Sequence, residues 1–365
     1  MSNEVDIIED DLLELDKDIL TFLLKDHSRS HYYDKKNNGN PEDESKQCNI
    51  FWLTHDYEEL GEKYRYNEPI TSDCISGSPE KSRILMPRVL KDRQSQLKRT
   101  RDMAEVFTPS WVCNKQNNLI DEAWFGRTDV FNHENEDNTW TPTSGKIVFP
   151  DTKGKTWRDY VAEHVMEVTC GEAPYLVSRY DTTTGEKLPL NMRIGLLDRK
   201  LRVVDENAEN DGEWWLFTQV AYGATYGYEW QGDSLLLARE ALLYTFVEHY
   251  RQRYQGRNPE PRMLQMIAYL VSWNVFQMDG LKGVIPETCT HNVFIKTKTI
   301  FDETETLVVC EGCRDGLFTH HNGIYCEIVE WGTAQTGLAY YNGKFAGDIR
   351  KKKTMRFVDL IAKKR

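Results

Sequence analysis

The sequence predicts an α/β protein built on a parallel sheet. Segments with strand and helix patterns alternate along the central part of the chain, and polar turns come directly after the strands. This order is typical of parallel strands joined by crossover helices. With 39% hydrophobic and 12% aromatic residues among 365, the chain has enough apolar material to form a core.

The first hundred residues predict an N-terminal region of helical and extended structure. Apolar residues between Asp6 and Leu24 recur on one helix face, which predicts a single helix packed on the body of the protein. The polar stretch at residues 31–47 contains Asn-Gly and Asn-Pro breakers and is typical of a loop. "NIFWLT" at residues 49–54 then indicates a short edge strand.

Residues 101–287 are predicted to contain the strands of the parallel sheet. "HVMEVTC" (164–170) indicates a strand that leads into a turn, and "YGYEWQGDSLLLAREALL" (226–243) indicates a strand followed by a long helix. "MLQMIAYLVSWNVFQMDGL" (263–281) indicates a helix followed by a strand. The span from Glu167 to Glu229 is longer than one strand–helix–strand unit needs, so residues 181–212 are expected to loop out.

Residues 288–365 predict a turn-rich segment that carries a CxxC pair, the last core strand at "GIYCEIVEW" (323–331) and a basic tail. Cys310 and Cys313 form one close pair, and Cys289 with His291 forms a second. Two such pairs suit a tetrahedral zinc ion, which takes thiolate and imidazole ligands. Cys326, His320 or His321 could replace His291, and a set of unlinked reduced thiols is the alternative.

The charge distribution bears on partners and location. The net charge of -12 disfavours indiscriminate nucleic-acid binding, yet residues 81–101 and residues 350–365 each carry eight basic residues and one acid. Such patches either bind the phosphate groups of a nucleic acid or form solvated protein surface. The acidic start has no secretion-signal pattern and no run of eighteen apolar residues occurs, which predicts a cytoplasmic protein without a membrane partner.

Three features along the chain suit an adenosyl cofactor at the carboxyl ends of parallel strands. "TCGEA" (169–173) offers a tight turn of small residues after a strand, where backbone could approach a ligand closely. Glu229 follows the next strand and could accept hydrogen bonds from ribose hydroxyls. Asp279 follows a third strand and could contact the adenine edge.

These motifs resemble, in the same order, those of amino-group DNA methyltransferases. The likeness rests on "EVFTP" (105–109), "EVTCGEAPYL" (167–176), "GYEWQGDSLLLAREALL" and "NVFQMDGL". Nearly the whole chain is similar to short proteins labelled restriction endonuclease subunit M, through phrases such as "DMAEVFTPSWVCNKQNNLIDEAWFG" and "MDGLKGV". The resemblance implies a Rossmann-like S-adenosylmethionine-dependent methyltransferase sheet. The residues themselves add an N-terminal extension and a turn-rich C-terminal segment that a zinc ion could stabilise.

The resemblance also implies roles for individual residues. It places Glu167 at the methionine end of S-adenosylmethionine and Glu229 at the ribose. The whole implied cofactor site is Phe107, Thr108, Pro109, Glu167, Cys170, Gly171, Ala173, Glu229 and Asp279. Glu172 and Ala173 stand where the family has Ser-Gly. The implied partners are DNA and a restriction nuclease or specificity subunit, and the implied reaction methylates an exocyclic base amine, adenine N6 in the first instance.

One motif of that family is missing. The Asn/Asp/Ser-Pro-Pro-aromatic tetrapeptide, which binds the target amine and stacks on the flipped base, occurs nowhere in the chain, so no catalytic residue can be assigned. "GTAQTG" follows "GIYCEIVEW" where the tetrapeptide is expected. A catalytically silent DNA-recognition or assembly subunit is therefore the alternative, and a zinc-stapled binding module with a vestigial cofactor pocket is a third interpretation.

Overall fold

The computed structural model describes residues 6–36, 48–103, 108–298, 303–331 and 353–362. It is a mixed α/β structure with small sheets. The helices are α1 Glu9–Leu15, α2 Ile19–Leu23, α3 His27–Lys36, α4 Ser72–Ile75, α5 Arg93–Met103, α6 Ser110–Phe125, α7 Trp157–Ala162, α8 Leu196–Asn207, α9 Asp211–Gly223, α10 Gly232–Arg253, α11 Pro261–Asn274, α12 Glu311–Asp315 and α13 Asp359–Ala362. The strands are β1 Asn132–Glu134, β2 Trp140–Pro142, β3 Val165–Glu167, β4 Thr225–Glu229, β5 Val275–Gln277, β6 Val293–Lys298, β7 Glu303–Val308, β8 Glu327–Glu330 and β9 Lys353–Arg356.

A three-stranded parallel sheet in the order β3-β4-β5 lies at the centre of the structure. In its register Glu167 pairs with Gly227, and Glu229 pairs with Gln277. Helices α8 and α9 connect β3 to β4, and α10 and α11 connect β4 to β5. The three strands therefore end on the same side, and this side is where the turns after β3 and β4 meet.

The main hydrophobic core combines the N-terminal region with the sheet and its crossover helices. Leu12 of α1 and Trp52 are fully buried in the same cluster as Phe246 of α10 and Val275 of β5. Helix α2 packs on α11, and α10 packs on α11 as well. Residues on both sides of the predicted boundary at residue 100 thus share one core.

The N-terminal apolar pattern forms two short helices instead of the single helix that it predicted. Helix α1 ends before Asp16, whose backbone is extended (φ -157°, ψ 121°). The Asp16 Oδ1 accepts the N–H of Asp18 at 2.8 Å, a local bond that competes with helix continuation. "NIFWLT" makes only isolated bridges, Lys25 with Asn49 and Phe51 with Pro69, so the expected edge strand is absent at residues 49–54.

Part of the span that was expected to loop out forms the buried helix α8. Its apolar residues Leu197, Leu201 and Val204 face the core. The helix can begin there because Gly195 lies against the Leu176 carbonyl oxygen, which a Cβ at position 195 would approach to 2.3 Å. Two crossover helices in place of one explain the long distance in sequence between β3 and β4.

Three antiparallel pairs lie outside the parallel sheet: β1 with β2, β6 with β7, and β8 with β9. The strand predicted in "GIYCEIVEW" is present as β8, but it pairs with β9 and does not extend the parallel sheet. A second, smaller core lies beside it, with Phe276, Met278, Ile285, Cys326 and Ile328 buried. Within the described ranges no helix has the length and apolar character needed to cross a membrane.

Candidate functional site

The segment after β3 makes a tight turn at the carboxyl end of the sheet. Its backbone enters the left-handed region at Thr169 (φ 47°), Gly171 (φ 53°) and Ala173 (φ 60°). The N–H of Cys170 donates to the carbonyl oxygen of Tyr228 at 2.8 Å and ties the turn to the end of β4. Residues other than glycine adopt this conformation at a cost of roughly 1–2 kcal/mol, so Thr169 and Ala173 hold strain in the turn.

Replacing Thr169 by glycine is expected to raise the free energy of unfolding by about 0.5–1 kcal/mol. Thr169 is exposed and β-branched, so glycine removes the left-handed penalty at a smaller entropic cost in the unfolded chain. Thr128→Gly is the control, because Thr128 is exposed with an ordinary φ and its replacement should destabilise the fold. Chemical denaturation measures both variants, and equal losses in the two would contradict a strained turn.

Glu229, the last residue of β4, holds this turn through its carboxylate. Its Oε2 accepts the N–H of Gly171 at 2.8 Å. Its Oε1 accepts the N–H groups of Trp230 at 2.9 Å and Gln231 at 3.2 Å. Burial raises the pKa of Glu229, and the three backbone donors oppose that rise. The carboxylate therefore links the turn after β3 to the turn after β4.

Glu167, the last residue of β3, carries an unsatisfied carboxylate oxygen. Its Oε1 accepts the N–H of Tyr175 at 3.4 Å, whereas its Oε2 is buried and has no hydrogen-bond partner among the described residues. Burial raises the pKa of Glu167 well above its usual value. Buried polar atoms are rarely left without a partner, so this oxygen lacks a donor that a ligand could supply.

Glu172 has a structural role in the same turn. Its Oε1 accepts the N–H of Arg88 at 2.7 Å, and its Oε2 accepts the hydroxyl of Tyr180 at 2.5 Å. Glu172 therefore connects the turn to Arg88 of the N-terminal region and to Tyr180. Each oxygen of the Glu172 carboxylate thus accepts a hydrogen bond from within the chain.

A cleft of about 1240 Å³ opens beside the turn. Glu167, Gly171 and Glu229 line it. His55, Tyr66 and Trp230 also line it and are called the aromatic wall below; the rings of His55 and Tyr66 stack with centroids 4.7 Å apart. The full lining is Leu53, His55, Tyr66, Arg101, Thr108, Gln116, Asn117, Ile120, Met166, Glu167, Val168, Thr169, Cys170, Gly171, Glu172, Pro174, Tyr175, Leu196, Glu229, Trp230, Gln231 and Ser234.

The structure brings most of the expected cofactor residues to this cleft. Thr108 and Cys170 line it together with Glu167, Gly171 and Glu229, whereas Ala173 is buried within the turn and Pro109 is the N-cap of α6. The Thr108 carbonyl oxygen accepts the hydroxyl of Thr182 at 2.9 Å, which fixes the start of α6. Phe107 lies outside the described residues.

Asp279 does not line the cleft. Its Oδ1 accepts the N–H of Leu281 at 3.0 Å, and its Oδ2 pairs with the Nζ of Lys282 at 3.1 Å. These contacts stabilise the turn after β5 and leave Asp279 outside the lining of the cleft, so its contact with an adenine edge stays a prediction. The adjoining strand residue Gln277 is also engaged, since its side-chain amide bonds both the N–H and the carbonyl oxygen of Phe51.

The basic stretch at residues 81–101 is largely engaged in contacts within the chain. Arg99 is buried and donates to Asp233 at 2.7 Å and to Asp56 at 2.9 Å. Lys98 pairs with Asp56 at 3.0 Å and Lys91 with Asp233 at 3.8 Å. Although burial opposes it, the Arg99 guanidinium holds the pKa of Asp233 well below its usual range. These three cations are therefore paired with acids of the same chain.

Four side chains in the C-terminal segment form a group that could hold a metal ion such as zinc. They are Cys289, Cys310, Cys313 and His321, whose candidate ligand atoms all lie within 4.8 Å of one another. The Sγ of Cys289 lies 3.5 Å from that of Cys310 and 3.6 Å from that of Cys313. His321 Nδ1 lies 3.5–3.6 Å from each of the three sulfurs.

His291 is outside this group, contrary to the sequence prediction. Its Nδ1 accepts the N–H of Cys310 at 3.2 Å, so the ring supports a cysteine backbone while His321 takes the fourth position. His320 contacts the hydroxyl of Thr319 at 3.0 Å, and buried Cys326 donates to the carbonyl oxygen of Gln277. The CxxC spacing was informative, but the histidine was decided by the path of the chain between residues 313 and 321.

Comparisons with protein-family models, curated proteins and solved structures found no match in any of the three searches. The geometry of the cleft and of the cysteine–histidine group therefore carries the functional argument. Sequence reasoning missed the aromatic wall of the cleft. Trp230 could have been noticed as the residue directly after Glu229, whereas His55 and Tyr66 come from a distant segment with no motif of its own.

Proposed function

We propose that this chain binds S-adenosylmethionine in the cleft and methylates the exocyclic amine of a DNA base, adenine N6 in the first instance. The observation that carries the proposal is the pair of carboxylates beside the strained turn. Glu229 accepts a hydrogen bond from Gly171, and Glu167 has an Oε2 with no partner in the part of the chain that the structure describes. Two acids beside a close-approach turn suit a ligand with an ammonium group, a sulfonium charge and a ribose diol.

In this proposal each part of the cofactor has a complement in the cleft. The ammonium group would supply the donor that Glu167 lacks, and the ribose hydroxyls would donate to Glu229. The aromatic wall of His55, Tyr66 and Trp230 would contact the purine ring. The cofactor supplies the methyl group, and these residues would bind and orient it.

Wild-type protein is expected to bind S-adenosylmethionine in calorimetric titration, and Glu229→Gln should weaken binding at least about 30-fold. The amide keeps the size of the side chain but provides one acceptor oxygen where the carboxylate provides two, and it loses the charge. Glu186→Gln is the matched control, since Glu186 is exposed and does not line the cleft. Absence of binding by wild-type protein at millimolar cofactor would refute the proposal.

A catalytically silent DNA-recognition or assembly subunit is the second candidate function. It is favoured by the absence of the Asn/Asp/Ser-Pro-Pro-aromatic tetrapeptide from the sequence. The sheet favours it as well. Among the described residues no strand pairs with the outer edge of β3, and β8, the strand after which the tetrapeptide was expected, pairs with β9 instead. In this candidate the cofactor would bind without methyl transfer, and a partner such as a restriction nuclease or specificity subunit would complete the activity.

Methylation-sensitive digestion of DNA from cells that express the chain alone separates the two functions. Protection of the DNA, lost in Glu229→Gln, would support the methyltransferase. Cofactor binding without protection would support the silent subunit. Protection that persists in Glu229→Gln would contradict the assignment of the cleft as the cofactor site.

A further inference from the structure

We propose that Cys289, Cys310, Cys313 and His321 hold one zinc ion in a closed structural site. A tetrahedral zinc with Zn–S bonds of about 2.3 Å and a Zn–N bond of about 2.0 Å has S···S edges of about 3.8 Å and S···N edges of about 3.5 Å. The group shows 3.5 and 3.6 Å between sulfurs, and 3.5–3.6 Å from sulfur to Nδ1. This site goes beyond the cofactor cleft and does not depend on it.

The four ligands come from three short segments. Cys289 precedes β6, and Cys310 and Cys313 lie at the N-cap and within the first turn of α12. His321 follows α12 after a turn. The antiparallel strands β6 and β7 lie between Cys289 and Cys310 in the chain. One ion would therefore connect both ends of this hairpin to α12 and to the turn that carries His321.

Gly312 makes this arrangement sterically feasible. A Cβ at position 312 would lie 2.7 Å from both the backbone nitrogen and the Nδ1 of His321. Both distances are shorter than a van der Waals contact. The His321 backbone could not move away from such a Cβ without also moving the imidazole that it carries. Glycine between the two cysteines therefore allows the imidazole to approach both sulfurs.

Contacts around the ligands hold them in place. His291 Nδ1 accepts the N–H of Cys310, and the hydroxyl of Tyr325 accepts the N–H of His321 at 2.6 Å. Such supporting bonds to ligand residues are typical of metal sites, where they fix the orientation of the ligands. His291 thus belongs to the support of the site and not to its ligand set.

The coordination is closed, which points to a structural role. Three thiolates and one imidazole fill the four positions of tetrahedral zinc and leave none for water or substrate. The segment also needs such support, because the small core beside it contains five buried residues among those that the structure describes. It is tied to the turn after β5 by the bridge of Val284 with Tyr325 and by the N–H of Ile285, which donates to Ile324. Zinc binding would therefore stabilise the β5 side of the sheet.

Metal analysis of the full chain purified without chelator tests the site. About one zinc per chain is expected, and Cys313→Ser and His321→Ala should each retain less than about a fifth of it. His291→Ala, His320→Ala and Cys326→Ser are the controls, and they should retain the wild-type content. Loss in His291→Ala with retention in His321→Ala would overturn the ligand assignment.

Cobalt substitution keeps the test decisive where a variant fails to fold. Reduced wild-type protein refolded with Co²⁺ alone should show the visible bands of tetrahedral cobalt and thiolate-to-cobalt charge transfer. Gly312→Ala, which retains all four ligands, should bind cobalt at least 10-fold more weakly. Less than half a zinc per chain together with no tetrahedral cobalt spectrum in wild-type protein would refute the site, whatever the result for S-adenosylmethionine.

Discussion

Replacing Arg239 by leucine is expected to lower the free energy of unfolding by about 4 kcal/mol. Arg239 is buried in α10 and donates to four carbonyl oxygens, those of Val275, Ser272, Leu23 and Lys25. Leucine would leave these buried acceptors without donors, and each unsatisfied group costs about 1–3 kcal/mol before relaxation. Burial lowers the pKa of Arg239 to about 10, so the side chain remains charged at neutral pH.

The loss should be graded by how many of these hydrogen bonds a substitution keeps. Arg239→Lys retains a charge but cannot reach all four carbonyls, so a loss of about 2 kcal/mol is expected. Arg253→Leu on the same helix is the control, because Arg253 pairs with the exposed Asp211 and should contribute less than about 1 kcal/mol. Urea denaturation gives the three values. A change below 1 kcal/mol in Arg239→Leu would show that the carbonyls find other donors.

Replacing Glu240 by glutamine is expected to raise the free energy of unfolding at pH 8 by on the order of 3 kcal/mol. Glu240 in α10 and Glu9 in α1 are fully buried, and neither carboxyl has a hydrogen-bond partner among the described residues. Burial raises the pKa of Glu9 from 4.5 to about 9. Burial, with the Glu9 carboxyl adding to it, raises the pKa of Glu240 well above its usual value.

These two acids should make the fold less stable as the pH rises. A carboxyl whose pKa is higher in the folded state binds its proton more tightly there, so its contribution is complete below about pH 4.5 and is lost as the pH approaches 9. Each unit of pKa difference corresponds to about 1.4 kcal/mol, which sets an upper limit that local relaxation reduces. The measurement is the free energy of unfolding between pH 5 and pH 9.

The control for this prediction is Glu14→Gln, a substitution of an exposed acid in α1. It should change stability by less than about 0.5 kcal/mol at any pH in this range. Glu240→Gln should instead flatten the decline with pH. A variant that is less stable than wild type at pH 8, with an unchanged slope, would show that the buried acids have partners in solution.

Local patterns predicted the central elements correctly. The strands before Glu167 and Glu229 and the helix that became α10 were confirmed, because apolar periodicity reports directly on burial in regular structure. The N-terminal helix was wrong in length, since Asp16 forms a local side-chain bond that interrupts the helix. The assignment of residues 181–212 to an outward loop was also wrong in part, because the amphipathic α8 packs into the core.

The candidate metal site was predictable in part, and the one ligand that was predicted wrongly has a physical explanation. Cys310 and Cys313 were recognised because two ligands on one short segment have a characteristic spacing. His291 was wrong as a ligand because it has a nearby partner, the N–H of Cys310, that the spacing of residues does not disclose. A hydrogen bond of this kind depends on the conformation of the turns that bring the two residues together.

The sequence by itself determined the three central strands with the helices α10 and α11, the carboxylates that end β3 and β4, and a cysteine-rich segment able to bind a metal. The tertiary structure decided which of these groups face one another. It brought His321 to the three cysteines, paired Arg99 with Asp233, and left Glu167 Oε2 without a donor among the described residues. Such outcomes depend on contacts between residues far apart in the chain, which the periodicity of short segments cannot encode.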